Sequence, residues 1–196
     1  MGGINYSKPY GNDFLSKNGY AKNGYVFGLT ASHDFSQIIS LDLSVLYERK
    51  NSETQQAILD QSVSPAQNST TIDETGISYL TIASIANLRL GMDSKFFLGI
   101  GGYYSFLRGF ENTQTVLYNG VVRYYSYSSS TSSKKDFDAG LIFSLKYRYP
   151  LSGRYDLYLQ VMNARGITDI SSEQYSFLPV YKNNSYSVLI GLTLKR

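Results

Sequence analysis

A single histidine, no cysteine and a scatter of carboxylates set narrow limits on the chemistry this 196-residue chain can perform. His33 stands beside Asp34 and three residues before Ser36, the three residue types of a nucleophilic triad. A tight turn is also built from Asp and Ser, so the pattern points first to a turn with a histidine packed at its rim. Asp136 and Asp138, at alternate positions, face the same way on a strand and could offer oxygen ligands to a hard cation. Lys134 and Lys135 are adjacent, and an ion pair is the simpler expectation. Without thiols there is no disulfide framework and no soft-metal site. The chain reads as non-enzymatic, with no catalytic residue, metal ligand set or cofactor.

A more coherent group is Asp42, Glu48, Arg89, Asp138, Lys146 and Arg148. What would bring them together is a two-residue period. In "ISLDLSVLYERK", Ile39, Leu41, Leu43, Val45 and Tyr47 share one face, while Ser40, Asp42, Ser44 and Glu48 share the other; only Leu46 is out of phase. Such alternation marks a strand between two different solvents. Seven further stretches behave similarly, which predicts eight strands: Gly2 to Lys8, Tyr20 to His33, Ile38 to Arg49, Gly76 to Leu90, Lys95 to Gly109, Asp136 to Tyr149, Tyr155 to Thr168 and Ser185 to Leu194. In the fourth, Ile85 sits opposite Leu80, Ile82, Leu88 and Leu90, suggesting a bulge.

The connections alternate strictly between short and long. "DFSQ", "GMDS" and "PLSGR" are compact turns. "PYGNDFLSKNG", "NSETQQAILDQSVSPAQNSTTIDET", "FENTQTVLYNGVVRYYSYSSSTSSKK" and the region from Asp169 to Asn184 are long loops. In an up-and-down arrangement all long loops lie at one end, and the short turns and both termini at the other. That asymmetry predicts an all-β fold: one eight-stranded antiparallel transmembrane β-barrel spanning residues 1–196, with short periplasmic turns, long extracellular loops and both termini periplasmic. A soluble lipocalin-like barrel, with its apolar face inside around a ligand, is the alternative.

Composition agrees with the membrane reading. No apolar run approaches the roughly 20 residues of a spanning helix. The 19 Tyr and 10 Phe suit strands and membrane interfaces. The net charge of +3 is dispersed, so no nucleic-acid partner is expected. "MGGINYSKPY" shows no signal peptide, so the sequence is expected to be a mature or engineered form. The expected surroundings are outer-membrane lipid and lipopolysaccharide. Eight strands leave a lumen that side chains can fill. The six charged residues are therefore read as a plug of mutual ion pairs, with a selective ion path as the sharper alternative. In the long loops, Tyr118, Tyr124, Tyr125 and Tyr127 among Ser and Gly form a candidate contact surface, or else a hairpin extending the barrel.

On these strands the chain resembles the PorT-like outer-membrane β-barrel family of Bacteroidetes, small barrels of the OmpA and OmpX type. "SLDLSVLYERK" is similar to that family's third strand, "YLTIASIANLRL" to its fourth, "FFLGIGGYYSFLRG" to its Gly-rich fifth and "MNARGITDI" to the end of its seventh. Ser84 replaces a usual Pro, Asn163-Ala164 a usual Arg-Tyr, and "LTLKR" a terminal aromatic. The resemblance implies an outer-membrane Gram-negative barrel and suggests a link to protein secretion or outer-membrane assembly. The function expected is that of a structural or accessory subunit binding another outer-membrane component. A small-solute channel and a soluble ligand-binding barrel are the alternatives.

Overall fold

A computed structural model describes residues 1–60, 67–91, 94–118, 121–128, 135–152, 154–171 and 180–194. Its strands are β1 (Gly2–Tyr10), β2 (Gly19–Asp34), β3 (Ile39–Asp60), β4 (Gln67–Arg89), β5 (Phe96–Tyr118), β6 (Val121–Ser128), β7 (Phe137–Pro150), β8 (Tyr155–Gly166) and β9 (Lys182–Leu194), with one short helix, α1 (Asp13–Asn18). All nine strands form one antiparallel sheet, in which β4 also pairs with β5. With β6 set aside, the other eight close into a ring. β6 lies beside the far end of β5, with Tyr127 opposite Thr113 and Tyr125 opposite Thr115.

The predicted barrel is therefore present, with three corrections to its parts. First, β3, β4 and β5 run to 22, 23 and 23 residues, so most of two expected long loops is strand. Beyond Tyr47, β3 adds roughly 40 Å of extended chain. Second, β6 is an additional strand within the third expected loop. Third, no bulge occurs at Ile85, where β4 keeps register with both neighbours; the irregularity against β5 is at Ser78 and Tyr79. Ile85 is apolar because it belongs to a buried cluster inside the barrel.

Each short turn is fastened by one serine. Ser36 Oγ accepts from the Ile38 and Ile39 amides at 3.3 and 3.1 Å, Ser94 Oγ from Phe96 at 3.0 Å, and Ser152 Oγ from Tyr155 at 3.3 Å. These side chains satisfy backbone donors that the chain reversal leaves open. At the opposite end α1 fills the first loop. Asn12 caps it by accepting from the Leu15 amide at 2.8 Å, and Leu15 is buried.

The outer wall carries the apolar half of each alternation. Leu43, Val45, Ile82, Leu98, Ile100, Leu141, Phe143, Leu159, Val188 and Ile190 are all exposed. Aromatic rings border this band on both sides. Towards the loops, Tyr25, Phe27 and Tyr47 lie with centroids 5.3 to 6.3 Å apart, and Tyr104 lies 5.5 Å from Phe137. Towards the turns, Phe96 and Tyr147 are 4.9 Å apart. From Ile39 to Tyr47 is about 26 Å of strand, and tilting brings that close to the roughly 25 Å apolar band of outer-membrane barrels.

Candidate functional site: a layered lumen and a projecting sheet

The alternation that turns Ile39, Leu43 and Val45 outward turns Asp42, Glu48 and Lys50 inward, and the lumen they enter is stratified. Nearest the turns, Lys146 on β7 pairs with Asp42 on β3, their side chains 4% and 2% exposed. Ser32 donates a second hydrogen bond to Asp42 at 2.6 Å, and the ammonium lies 5.3 Å from the Tyr158 ring centroid. Tyr158 fits there because residue 191 is glycine; a Cβ at that position would collide with the ring. Arg89 and Arg148 stack on Phe97, with guanidinium carbons 5.1 and 4.8 Å from its centroid. Arg148 also lies 3.9 Å from Asp34.

Above this layer comes an apolar one. Val26, Leu46, Ile85, Ile142, Met162 and Leu189 pack together, each at most 4% exposed. This explains why Leu46 breaks the alternation of its strand: the inward face is polar only where charges can pair. A second charged group follows. Lys50 sits between Glu48 at 3.5 Å and Asp138 at 3.9 Å, with the rings of Tyr79 and Tyr103 at 5.2 and 5.0 Å. Glu48 accepts from Thr81 at 2.5 Å. Asp138 accepts from Tyr103 at 3.2 Å, Asn183 at 3.0 Å and Thr168 at 2.9 Å. Towards the loops the lumen ends under Ile77, Tyr79 and Ile170, all buried.

The six charged residues expected in one network are thus split. Asp42 and Lys146 meet, Glu48 and Asp138 share a cation, and Arg89 and Arg148 share an aromatic ring. Asp42 and Glu48 lie about 20 Å apart along one strand, too far to serve one site. The cation between Glu48 and Asp138, Lys50, was missing from the expected set. Its signal in the sequence is parity with Asp42 and Glu48, one residue past the expected strand end at Arg49. Asp138 pairs with Lys50; Lys134 lies outside the described residues. Asp136 is exposed just before β7.

His33, Asp34 and Ser36, read as a turn with a histidine packed at its rim, have separate contacts. His33 is exposed and packs edge-on against Phe35, ring centroids 4.8 Å apart. Asp34 faces Arg148, and Ser36 fastens its turn.

The second feature is the sheet that β3, β4, β5 and β6 raise above the ring. Tyr124, Tyr125 and Tyr127 of β6 are exposed, whereas Tyr118 at the end of β5 is half-buried. The expected tip is therefore a β5–β6 hairpin, with three tyrosines on its second strand. Ion pairs brace the base of the sheet: Lys22 to Glu53 at 2.5 Å and Glu74 at 3.1 Å, and Arg49 to Glu111 at 2.5 Å.

The hydrogen bond from Lys22, then that from Gln55, holds the Glu53 carboxyl below its ordinary value against the opposing effect of burial. The Arg49 guanidinium does the same for Glu111. A carboxyl depressed by folding contributes stability that is present above its unfolded pKa of about 4.3 and is lost as pH falls through the lower folded value. Lys22 is raised by the hydrogen bonds it donates to Glu53 and Glu74, so its contribution persists through neutral pH. Acidification below about pH 4 is therefore expected to loosen the base of the sheet before the barrel. Amide exchange at pH 7 and pH 3 checks this: exchange should quicken at Ser52 to Thr54 relative to Leu43 to Leu46, and equal quickening would contradict it.

A closed antiparallel barrel, with an apolar aromatic-bordered wall and a polar layered interior, is a transmembrane β-barrel. The family model for the outer membrane protein beta-barrel domain matches residues 2–172. The chain therefore belongs to the outer membrane protein beta-barrel domain family, and the outer membrane is its location. No curated protein matches it.

Proposed function

We propose that this protein is a non-enzymatic subunit of the outer membrane that docks another outer-membrane component along β6. In this reading its turns and both termini lie in the periplasm, and its projecting sheet stands outside the cell amid lipid and lipopolysaccharide. The observation that carries it is the edge of β6. Among the described residues this strand pairs with β5 alone, and it bears Val121, Val122, Tyr124, Tyr125 and Tyr127 at 53 to 64% exposure. An exposed edge rich in β-formers is a template for another strand. Tyrosine adds contact area at low entropic cost. Close packing of the inward side chains favours this reading over a small-solute channel. The PorT-like resemblance makes components of protein secretion or outer-membrane assembly the first partners to test.

Purification from native membranes in mild detergent is expected to bring down a defined partner with the wild-type barrel. The triple variant Tyr124→Ser, Tyr125→Ser, Tyr127→Ser should remain folded and lose that partner. A lone monomer from the wild type would overturn the reading, and conductance steps in planar bilayers would overturn the closed lumen.

A further inference from the structure

The outer face of the projecting sheet carries a cavity just above the aromatic border. It holds about 440 Å³ between β2, β3, β4 and β5, within the roughly 300 to 1,000 Å³ usual for small-ligand sites. Two local features shape it. β2 slips by one residue against β3 between Ala21 and Tyr25, and such a bulge re-aims the side chains beside it. On β4 the wall is lowered at Gly76, and the Arg49 side chain lies across the gap: a Cβ at residue 76 would stand 2.6 Å from Arg49 Nη2. Arg49 thereby reaches from β3 over β4 to Glu111 on β5, at 2.5 Å.

The lining is charged but balanced. Lys22 and Arg49 are matched by Glu74 and Glu111, and each is already in an ion pair. An ionic guest would have to break one of these pairs to gain a partner. Among the described residues no carboxylates are grouped to hold a metal ion. Hydrogen-bonding capacity remains, however. Arg49 gives Nε to Asn51 at 3.2 Å and one Nη2 hydrogen to Glu111, two of the five N–H groups that a guanidinium carries. Glu111 Oε1 and Glu74 Oε2 accept from no described residue. Tyr25, directly opposite Arg49, and Tyr20, directly opposite Glu53, stand exposed at the rim.

We propose that this cavity is a saccharide site, taking uncharged sugar rings from a glycolipid headgroup or from a free oligosaccharide. Each sugar hydroxyl both donates and accepts, and planar Arg, Asn and carboxylate groups set side by side suit adjacent pairs of them. The electron-rich face of a tyrosine ring receives the weakly positive C–H face of a sugar. Position agrees with this chemistry: Arg49 lies two residues, about 7 Å of strand, beyond Tyr47 of the aromatic border, at the level of lipid headgroups. The site makes no use of the β6 edge, so either can fail without the other.

The barrel, in a zwitterionic detergent without a sugar headgroup, is applied to an array of immobilised glycans, uncharged and anionic, and detected by antibody. The wild type should bind a subset of the uncharged glycans. Gly76→Val fills the gap and displaces only the flexible end of Arg49, so the strand persists while binding weakens about tenfold or more. Arg49→Lys keeps the charge, loses the planar fork and should show the same loss. Ala57→Val, farther along β3 and exposed, should bind as the wild type does. No binding by the wild type, binding confined to anionic glycans, or undiminished binding by both Gly76→Val and Arg49→Lys would each overturn the proposal. The tightest uncharged glycan is then offered to the barrel in vesicles, once free in solution and once as the headgroup of a membrane lipid. Binding of the free form assigns the site to an oligosaccharide, and binding of the lipid-linked form alone assigns it to a glycolipid. Binding of neither would overturn the site.

Discussion

Replacing Leu43 by arginine is expected to lower the stability of the barrel by about 2 to 4 kcal/mol, the cost of a cation near the bilayer midplane on a lipid-facing strand position. Leu43 lies four residues from Ile39, where β3 begins, and four from Tyr47 in the aromatic border, which places it mid-band. Its neighbours across the sheet are Ala31 and Ser84. Neither carries a charge to pair with, and the small side chains leave a guanidinium facing acyl chains. The same substitution at Ala57, on the projecting part of β3 and exposed, should cost less than about 0.5 kcal/mol, as for ordinary surface changes. Reversible urea unfolding in lipid vesicles, followed by circular dichroism, measures both. Equal tolerance at the two positions would mean that the face bearing Leu43 does not meet lipid.

That contrast also shows what could be read from the chain and what could not. Within the membrane one face meets hydrocarbon and the other a polar interior, so the sequence must alternate, and the eight ring strands are visible in it. Beyond Lys50 β3 has left both the hydrocarbon and the charged layer of the lumen, so neither face has to be apolar. Ser52, Glu53, Thr54, Gln55 and Gln56 then have no reason to alternate, and the continuing strand looks like a loop. α1 is hidden for a different reason: six residues are too few to display a 3.6-residue period. The inward faces were legible as polar, which located Asp42, Glu48, Asp138 and Lys146. Their pairing depends on strand register and on the stagger of the ring, neither of which is encoded locally. Leu46 and Ile85 look like errors of pattern in isolation; together they are one apolar layer.

The largest loss is expected at Lys50, the cation between Glu48 and Asp138. Glu48 and Asp138 both approach its ammonium, and all three side chains are at most 5% exposed. The group therefore carries two carboxylates to one cation, and the members are not equivalent. Lys50→Met removes the cation that both carboxylates approach and leaves the two buried carboxylates near each other. Removing one partner of a buried pair typically costs about 3 to 5 kcal/mol, and the remaining repulsion puts this variant at the upper end. Asp138→Asn should cost less, because Glu48 still compensates Lys50, while an amide oxygen in place of Oδ2 can accept from Tyr103 and Asn183 and the amide nitrogen can donate to the Thr168 hydroxyl. The double variant should be more stable than Lys50→Met alone, since it leaves one buried carboxylate where the single change leaves two. Hydrophobic truncation gives the opposite order, with each removal adding to the loss. Unfolding of the four proteins in vesicles thus separates an electrostatic role from mere space-filling: a double variant less stable than Lys50→Met would show that Lys50 packs the lumen without neutralising it.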